Sequence, residues 1–237
     1  MEKRVLLLAT KDGPYSYFAL KSLLKNKTPI FGVAIDKKGV GAKAIEIWEE
    51  RTGGNIKTGD IYEFQSDTCP FFEFTSHSSE EFKNFIKENN IDLLVNTGTP
   101  RILKQDILDA PNIGVLNIHP SILPAYRGCT TMEWSIYNDD PVGNTAHFMS
   151  AGIDEGPIIE QESYDFKKSD SYTDIRSHMY RANVELMSRV IHKIINDDIT
   201  TQSLPAQKDG KYWDVMDSGK LAIVMEKLKN GQYKYQK

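Results

Sequence analysis

Two stretches of the chain carry polar side chains where packing alone explains them poorly. In Val115-Leu116-Asn117-Ile118-His119-Pro120, an apolar run ends in an amide and an imidazole two residues apart, and Pro120 stops it. Side chains two apart in a strand share a face, so Asn117 and His119 point together while Leu116 and Ile118 point the other way. In Ala151-Gly152-Ile153-Asp154-Glu155-Gly156-Pro157, an acid stands between glycines that allow a sharp backbone path with the carboxylate at its apex. Each stretch also has a plain structural reading. Asn117 and His119 could satisfy buried hydrogen bonds, and Asp154 could cap its own turn.

Brought together, the residues have distinct jobs. An asparagine amide donates to a carbonyl oxygen as it gains charge, an effect worth roughly 3 kcal/mol per donor. Histidine titrates near pH ~6.5, and a carboxylate neighbour raises that value. The same carboxylate can accept, directly or through water, the proton of an attacking amine. No G-x-S-x-G elbow is present, and Ser121 reads as a loop brace. His119, His147 and Asp154 lack the paired spacing of metal ligands, so no metal is expected. The residues point to direct acyl transfer or hydrolysis without a covalent enzyme intermediate, and to no particular substrate.

The elements that must position them alternate. Val5 to Ala9 form a continuous apolar run, followed by a turn and a helix from Tyr15 to Lys25; Pro29 to Ile35 and Ala42 to Arg51 repeat the strand and helix. From Asn55 to Thr75 the pattern weakens to a strand or two. Ser78-x-x-Glu81 predicts a capping box, Asp92 to Val95 another strand, and Val115 to Ile118 the next. Thr130-x-x-Glu133 predicts a cap for a short helix, and Thr145 to Met149 a strand. Ser171-x-x-Asp174 opens the longest helix, apolar at Ile175, Met179, Ala182, Leu186, Val190 and Ile194. The fold class is α/β: a doubly wound, mainly parallel Rossmann-like sheet with a short C-terminal extension. Residues 1–200 are read as the catalytic domain. Residues 201–237 form an extension that packs on the domain or on a second subunit of a homodimer.

In such sheets ligands sit at the carboxyl ends of the strands, which is where Asn117 and His119 fall. The first turn, Thr10-Lys11-Asp12-Gly13-Pro14-Tyr15, has no G-x-G-x-x-G, although Lys11 and Gly13 could meet one anionic group at the helix start. A formal net charge of -4 argues against a broad nucleic-acid surface, and no segment approaches the ~20 apolar residues of a membrane span. Cys69 and Cys129 are the only cysteines, so a reducing cytoplasm is the expected setting.

The run Asn117-x-His119-Pro120-Ser121-Ile122-Leu123-Pro124-x-x-Arg127-Gly128, with His147-Phe148-Met149 and Gly152-Ile153-Asp154-Glu155-Gly156-Pro157-Ile158-Ile159, resembles the folate-dependent formyltransferases. The resemblance covers roughly residues 1 to 200 and takes in the segment Asp92 to Leu103. It implies 10-formyltetrahydrofolate as co-substrate and a primary amine as acceptor. Asn117 and His119 would polarise the formyl oxygen and stabilise a tetrahedral intermediate, with Asp154 assisting and His147 in support. The pterin would lie against Arg101, Ile102 and Leu103 and the loop holding Gly152 and Ile153. Acceptor contacts are expected from Lys11, Gly13, Tyr15 and Arg127. The first turn departs from the Gly-rich, Asn-containing turn of glycinamide ribonucleotide enzymes. The short tail of an acidic chain departs from the sizeable basic domain of the tRNA enzymes, and the chain opens directly at its first strand, unlike the deformylases. What the resemblance then implies is a sugar N-formyltransferase acting on a nucleotide-linked amino sugar such as a dTDP-linked amino-dideoxy sugar, for polysaccharide biosynthesis. Glycinamide ribonucleotide or another small amine, and a non-catalytic folate- or nucleotide-binding homologue, are the alternatives.

Overall fold

The computed structural model describes residues 2–199 and 204–237. The elements open with β1 (Val5–Thr10), α1 (Pro14–Lys25), β2 (Gly32–Asp36), α2 (Ala42–Thr52), a 3-10 turn (Ile61–Phe64), β3 (Phe71–Phe74), α3 (Glu80–Glu88) and β4 (Leu93–Asn96). They continue with α4 (Gln105–Leu108), β5 (Gly114–His119), β6 (Arg127–Gly128), α5 (Thr131–Tyr137), β7 (Val142–Phe148), β8 (Ile158–Tyr164), α6 (Tyr172–Ile195), β9 (Tyr212–Trp213) and α7 (Ser218–Lys229).

The main sheet has the order β3-β2-β1-β4-β5-β7-β8. Strands β1 to β5 run parallel; β7 and β8 close one edge antiparallel. Apolar positions divide strictly by strand period. Val5, Leu7 and Ala9 of β1 face one helical layer, built from α1 and α6; Leu6 and Leu8 face the other, with Phe82 and Ile86 of α3 and Ile107 and Leu108 of α4. A strand buried on both faces has no polar side, which is why β1 reads as an unbroken apolar run. In β5, Leu116 and Ile118 belong to the α1/α6 side and Val115 to the other. Asn117 and His119 therefore share the face of Val115.

Going outward from β1, the chain builds β2 and β3 on one flank, then returns to build β4 and β5 on the other. The carboxyl ends of β1 and β4 thus border the crevice where such sheets bind ligands. The long α6 begins with the reciprocal cap its sequence predicts: Asp174 N donates to Ser171 Oγ at 3.3 Å, and Ser171 N to Asp174 Oδ2 at 3.0 Å. Among the described residues no helix is long and apolar enough to cross a membrane.

Residues 204–237 lie against the sheet-bearing body. Met216, Val224, Leu228 and Tyr233 join Met132, Ile136, Val142 and Phe166 in one apolar cluster, and β9 pairs in parallel with β6. The boundary expected at 200/201 falls on residues outside those described.

Two expected caps are corrected. Helix α3 is capped by Ser79, whose Oγ accepts from Phe82 N at 3.2 Å. Ser78 is drawn away because its hydroxyl donates to Ile102 O at 3.3 Å. Thr130 does not cap α5: its φ is 45°, and its hydroxyl accepts from Met216 N at 2.8 Å instead. The weakly patterned stretch from 55 to 75 holds one 3-10 turn and one strand.

Candidate active site

Strand β5 ends at His119, and antiparallel pairing sets Asn117 opposite His147 of β7. The loop between β7 and β8 folds back so that Asp154 Oδ2 lies 3.3 Å from His119 Nδ1 and Oδ1 lies 3.7 Å from His147 Nε2. Asp154, 35 residues beyond His119, therefore meets the Asn117–His119 pair, with His147 as a fourth member. The path of the loop differs in one respect from the expectation. Neither Gly152 nor Gly156 has a positive φ; Asp154 itself does, at 55°. Gly156 serves close approach instead, because a Cβ there would stand 1.7 Å from the Phe148 carbonyl oxygen.

A hydrogen-bond chain sets the orientation of the Asn117 amide. Gly98 N and Thr99 N donate to Asn96 Oδ1 at 3.1 and 3.0 Å. Asn96 must then present its Nδ2, which donates to Asn117 Oδ1 at 3.0 Å. Asn117 Nδ2 faces His147 Nε2 at 3.1 Å, and His147 Nδ1 faces the Phe148 carbonyl at 3.0 Å. A carbonyl accepts only, so the His147 proton sits on Nδ1 and Nε2 accepts from Asn117. The second N–H of Asn117 has no protein partner among the described residues.

Burial holds the His147 pKa down to about 4, against the pull of Asp154 and with help from His119. The geometry agrees, since a proton on Nε2 would confront the Asn117 N–H. His119 is 4% exposed, and its Nε2 lies 2.8 Å from the Tyr126 carbonyl, so Nε2 donates there. Burial lowers the His119 pKa, while Asp154 and the Tyr126 carbonyl oppose that shift. With Nε2 carrying the proton of the neutral ring, Nδ1 and the Asp154 carboxylate oxygen face each other as two acceptors, a pair placed to take up one added proton between them. Gly128 N steadies the carboxylate, donating to Oδ2 at 2.9 Å, and the Asp154 side chain is 12% exposed. This is an amide donor beside a proton-sharing imidazole–carboxylate pair.

The other expected site residues divide. Arg101 commits its guanidinium to Asp36, at 2.8 and 3.1 Å, and to the Thr75 carbonyl at 3.1 Å. Against the raising effect of burial, Arg101 and the N–H groups of Lys38 and His77 keep the Asp36 carboxyl below its usual pKa. Leu103 is buried in the core, whereas Ile102 is 80% exposed and Ile153 50%. Gly13 and Tyr15 line a cleft of about 310 Å³ at the carboxyl end of β1, with Thr10, Trp48, Arg51, Gly98 and Tyr180. Lys11 is exposed on the adjoining turn. Arg127, also expected as an acceptor contact, has a side chain 10% exposed that holds Glu155, Gln207 and the Lys208 carbonyl, and so braces the Asp154 loop. A larger cleft of about 870 Å³ lies at the opposite, amino edge of the sheet, around Lys3, Arg4 and Phe31, away from these groups. Among the described residues no group of three or more His, Cys, Asp or Glu side chains is arranged to hold a metal ion.

Sequence reasoning missed Asn96 and Gln207. Asn96 was legible as an Asn two residues before a Gly at a strand end, the pattern of a side chain bonding its own turn. Gln207 had no such signal, because its partners lie about 50 residues away.

The formyl transferase family model matches residues 5–191. Methionyl-tRNA formyltransferase of Clostridium tetani is 29% identical over 126 residues, 53% of this chain and 40% of that relative, so the match spans less than half of the curated protein. A sugar N-formyltransferase from Shewanella sp FDAARGOS_354 superposes with a TM-score of 0.62 at 16% identity, covering 95% of this chain and 87% of that one. Phosphoribosylglycinamide formyltransferase from Anaplasma phagocytophilum gives 0.63 at 20% identity, covering 90% and 99%. The formyltransferase PseJ from Anoxybacillus kamchatkensis, solved with UDP-4,6-dideoxy-4-formamido-L-AltNAc and tetrahydrofolate, gives 0.58 at 18% identity, covering 97% and 100%. These likenesses are of fold.

Proposed function

Since the chain belongs to the formyl transferase family, we propose that it moves a formyl group from 10-formyltetrahydrofolate to the primary amine of a nucleotide-linked amino sugar. The observation that carries the reading is the Asp154 carboxylate, 3.3 Å from His119 Nδ1 and beside an Asn117 amide whose second N–H has no partner among the described residues. The donor side of the site also fits. The exposed Ile102 and Ile153 offer apolar cover for a flat heterocycle, and the N–H groups of Arg101, Ile102 and Leu103 have no partners among the described residues. When bound, the folate supplies a formyl carbonyl open to attack by an amine.

In this scheme Asn117 donates its second N–H to the formyl oxygen as that oxygen gains charge, the kind of fixed donor worth about 3 kcal/mol. As the amine nitrogen bonds to the formyl carbon, Asp154 takes the proton that nitrogen loses, directly or through water, and His119 shares it across Nδ1; the pair returns it to the folate's leaving nitrogen as the bond from that nitrogen to the formyl carbon breaks. His147, kept neutral by burial, orients Asn117 and carries no charge of its own. The acceptor's body occupies the cleft of Tyr15, Trp48, Arg51 and Tyr180, where aromatic rings suit a base or sugar and the Arg51 guanidinium suits a phosphate. The nucleotide-linked sugar and tetrahydrofolate in the PseJ structure support that choice of acceptor.

A second reading, a small phosphorylated amine such as glycinamide ribonucleotide, has one observation in its favour. Among the described residues Thr10 Oγ1 is buried without a partner where α1 begins, a place suited to an anion. Incubation with 10-formyltetrahydrofolate and a panel of nucleotide-linked 3-amino and 4-amino sugars plus glycinamide ribonucleotide, read by mass spectrometry, separates the two. A formylated sugar supports the first and formylated glycinamide ribonucleotide alone the second. No formylated product across the panel refutes both.

A further inference from the structure

We infer that Gln207, outside the segment matched by the family model, is a positioning residue that locks the Asp154 loop into its working shape. The inference rests on the role proposed for Asp154. Asp154 holds a left-handed backbone conformation, φ 55°, which a side chain other than glycine keeps only when its surroundings impose it. Gln207 imposes it. Its Nε2 donates to the carbonyl of Asp154 at 3.0 Å and to that of Gly156 at 2.6 Å, gripping the turn at the left-handed residue itself and again two residues on.

The amide is itself held. Gln207 Oε1 accepts from Arg127 Nη2 at 3.1 Å, and the same nitrogen donates to the Lys208 carbonyl at 3.0 Å. Arg127 Nη1 reaches the Glu155 carboxylate at 3.2 Å, so one side chain ties the extension to the loop. The β6/β9 pairing adds backbone bonds from Arg127 N to the Lys211 carbonyl, 3.0 Å, and from Cys129 N to the Trp213 carbonyl, 2.8 Å. Between those two bonds stands Gly128, whose N–H donates to Asp154 Oδ2 at 2.9 Å. The extension therefore fixes Asp154 twice, at its backbone through Gln207 and at its carboxylate through the strand that carries Gly128. No hydrogen bond joins Gln207 to Asn117 or His119 among the described residues, so its effect on the chemistry passes through Asp154.

Removing the amide lets the turn relax and takes the carboxylate off His119, and a misplacement on the order of 1 Å costs roughly 100-fold in rate. Gln207→Ala and Gln207→Glu, which keeps the size but loses both donors, are each expected to lower kcat by about 10- to 100-fold with KM within about twofold. In an Asp154→Asn background the same changes should add no more than about twofold, since residues acting through one group are not additive. Hydrogen exchange at the Gly128 amide reports the lock without any turnover: protected in the native chain, it should exchange at least about tenfold faster in both variants. Wild-type kcat in both variants, an unchanged Gly128 exchange rate, an equal loss in the Asp154→Asn background, or global unfolding of both variants would each overturn the inference. A wild-type chain without formyl transfer, but with Gly128 exchange accelerated in the variants, would instead fault the functional reading and leave the lock standing.

Discussion

Replacing Asn96 by aspartate changes one NH2 for one oxygen and tests whether the orientation of Asn117 carries the chemistry. The new carboxylate would keep both bonds that position 96 accepts, from Gly98 N and Thr99 N. It would lose the donor that meets Asn117 Oδ1 at 3.0 Å and leave two oxygens facing there. Asn117 could escape by turning its amide over, but that sets Oδ1 against His147 Nε2, at 3.1 Å from the present nitrogen, and Nε2 is also an acceptor because the His147 proton serves the Phe148 carbonyl. Neither orientation satisfies the chain, so the donor aimed at the formyl oxygen is no longer held. One preorganised donor is worth about 100- to 1000-fold in kcat, so a loss of about two orders of magnitude is expected, with KM within about threefold. The folding cost is far smaller, about 1 kcal/mol for one net hydrogen bond at a half-buried site. Initial rates at saturating donor and amine measure the first quantity, and urea unfolding the second. The reasoning fails if Asn96→Asp keeps wild-type kcat, or if it loses activity only in proportion to unfolded protein.

Acid should destabilise the fold through the buried imidazoles. The folded pKa of His147, about 4, lies below its ordinary value, so the unfolded chain binds the proton first; the stabilisation is complete above about pH 6.5 and shrinks by roughly 3 kcal/mol as pH falls to about 4. His119 shifts the same way, and urea unfolding across that range should give a shallower slope in His147→Gln; parallel slopes would refute the assignment. Gly156→Ala sets a Cβ 1.7 Å from the Phe148 carbonyl, displacing the loop, and kcat should fall by about 10- to 100-fold; unimpaired turnover would show that the loop adapts. Arg176→Met strands the buried Glu133 carboxylate, its ion-pair partner, at a cost of about 3–5 kcal/mol that an added Glu133→Gln recovers in large part; denaturant melts of the single and double variants check both steps, and equal stability would contradict them. Ile102→Asp with Ile153→Asp should raise KM for the folate at nearly constant stability, because both side chains are exposed; binding titrations with tetrahydrofolate that detect no change would remove those loops from the donor site.

Periodicity made the sheet legible because β1, β4 and β5 are buried on both faces and their apolar runs allow no other reading. Asn117 and His119 were legible as a pair for the same reason, since a period of two fixes their common side. Asp154 meets His119 as the glycine-bracketed loop led one to expect, but by a partly different path: the positive φ falls on Asp154, while Gly156 makes room for the Phe148 carbonyl. Caps at Ser78 and Thr130 failed because tertiary partners, Ile102 and Met216, prevailed over the local turn. Arg127 entered as an acceptor contact only through the family motif that holds it. Its partners within the fold, Glu155 and Gln207, lie 28 and 80 residues onward, and no local pattern encodes pairings of that range.

The most direct test measures amine-dependent release of tetrahydrofolate from 10-formyltetrahydrofolate, using wild type, Asn117→Ala and Asp154→Asn at equal folded concentration with the amino-sugar panel. The account predicts release and a matching formylated amine for the wild type, with kcat reduced at least about 100-fold in each variant while folate binding persists. Turnover undiminished in both variants would place the chemistry elsewhere in the molecule and contradict the account.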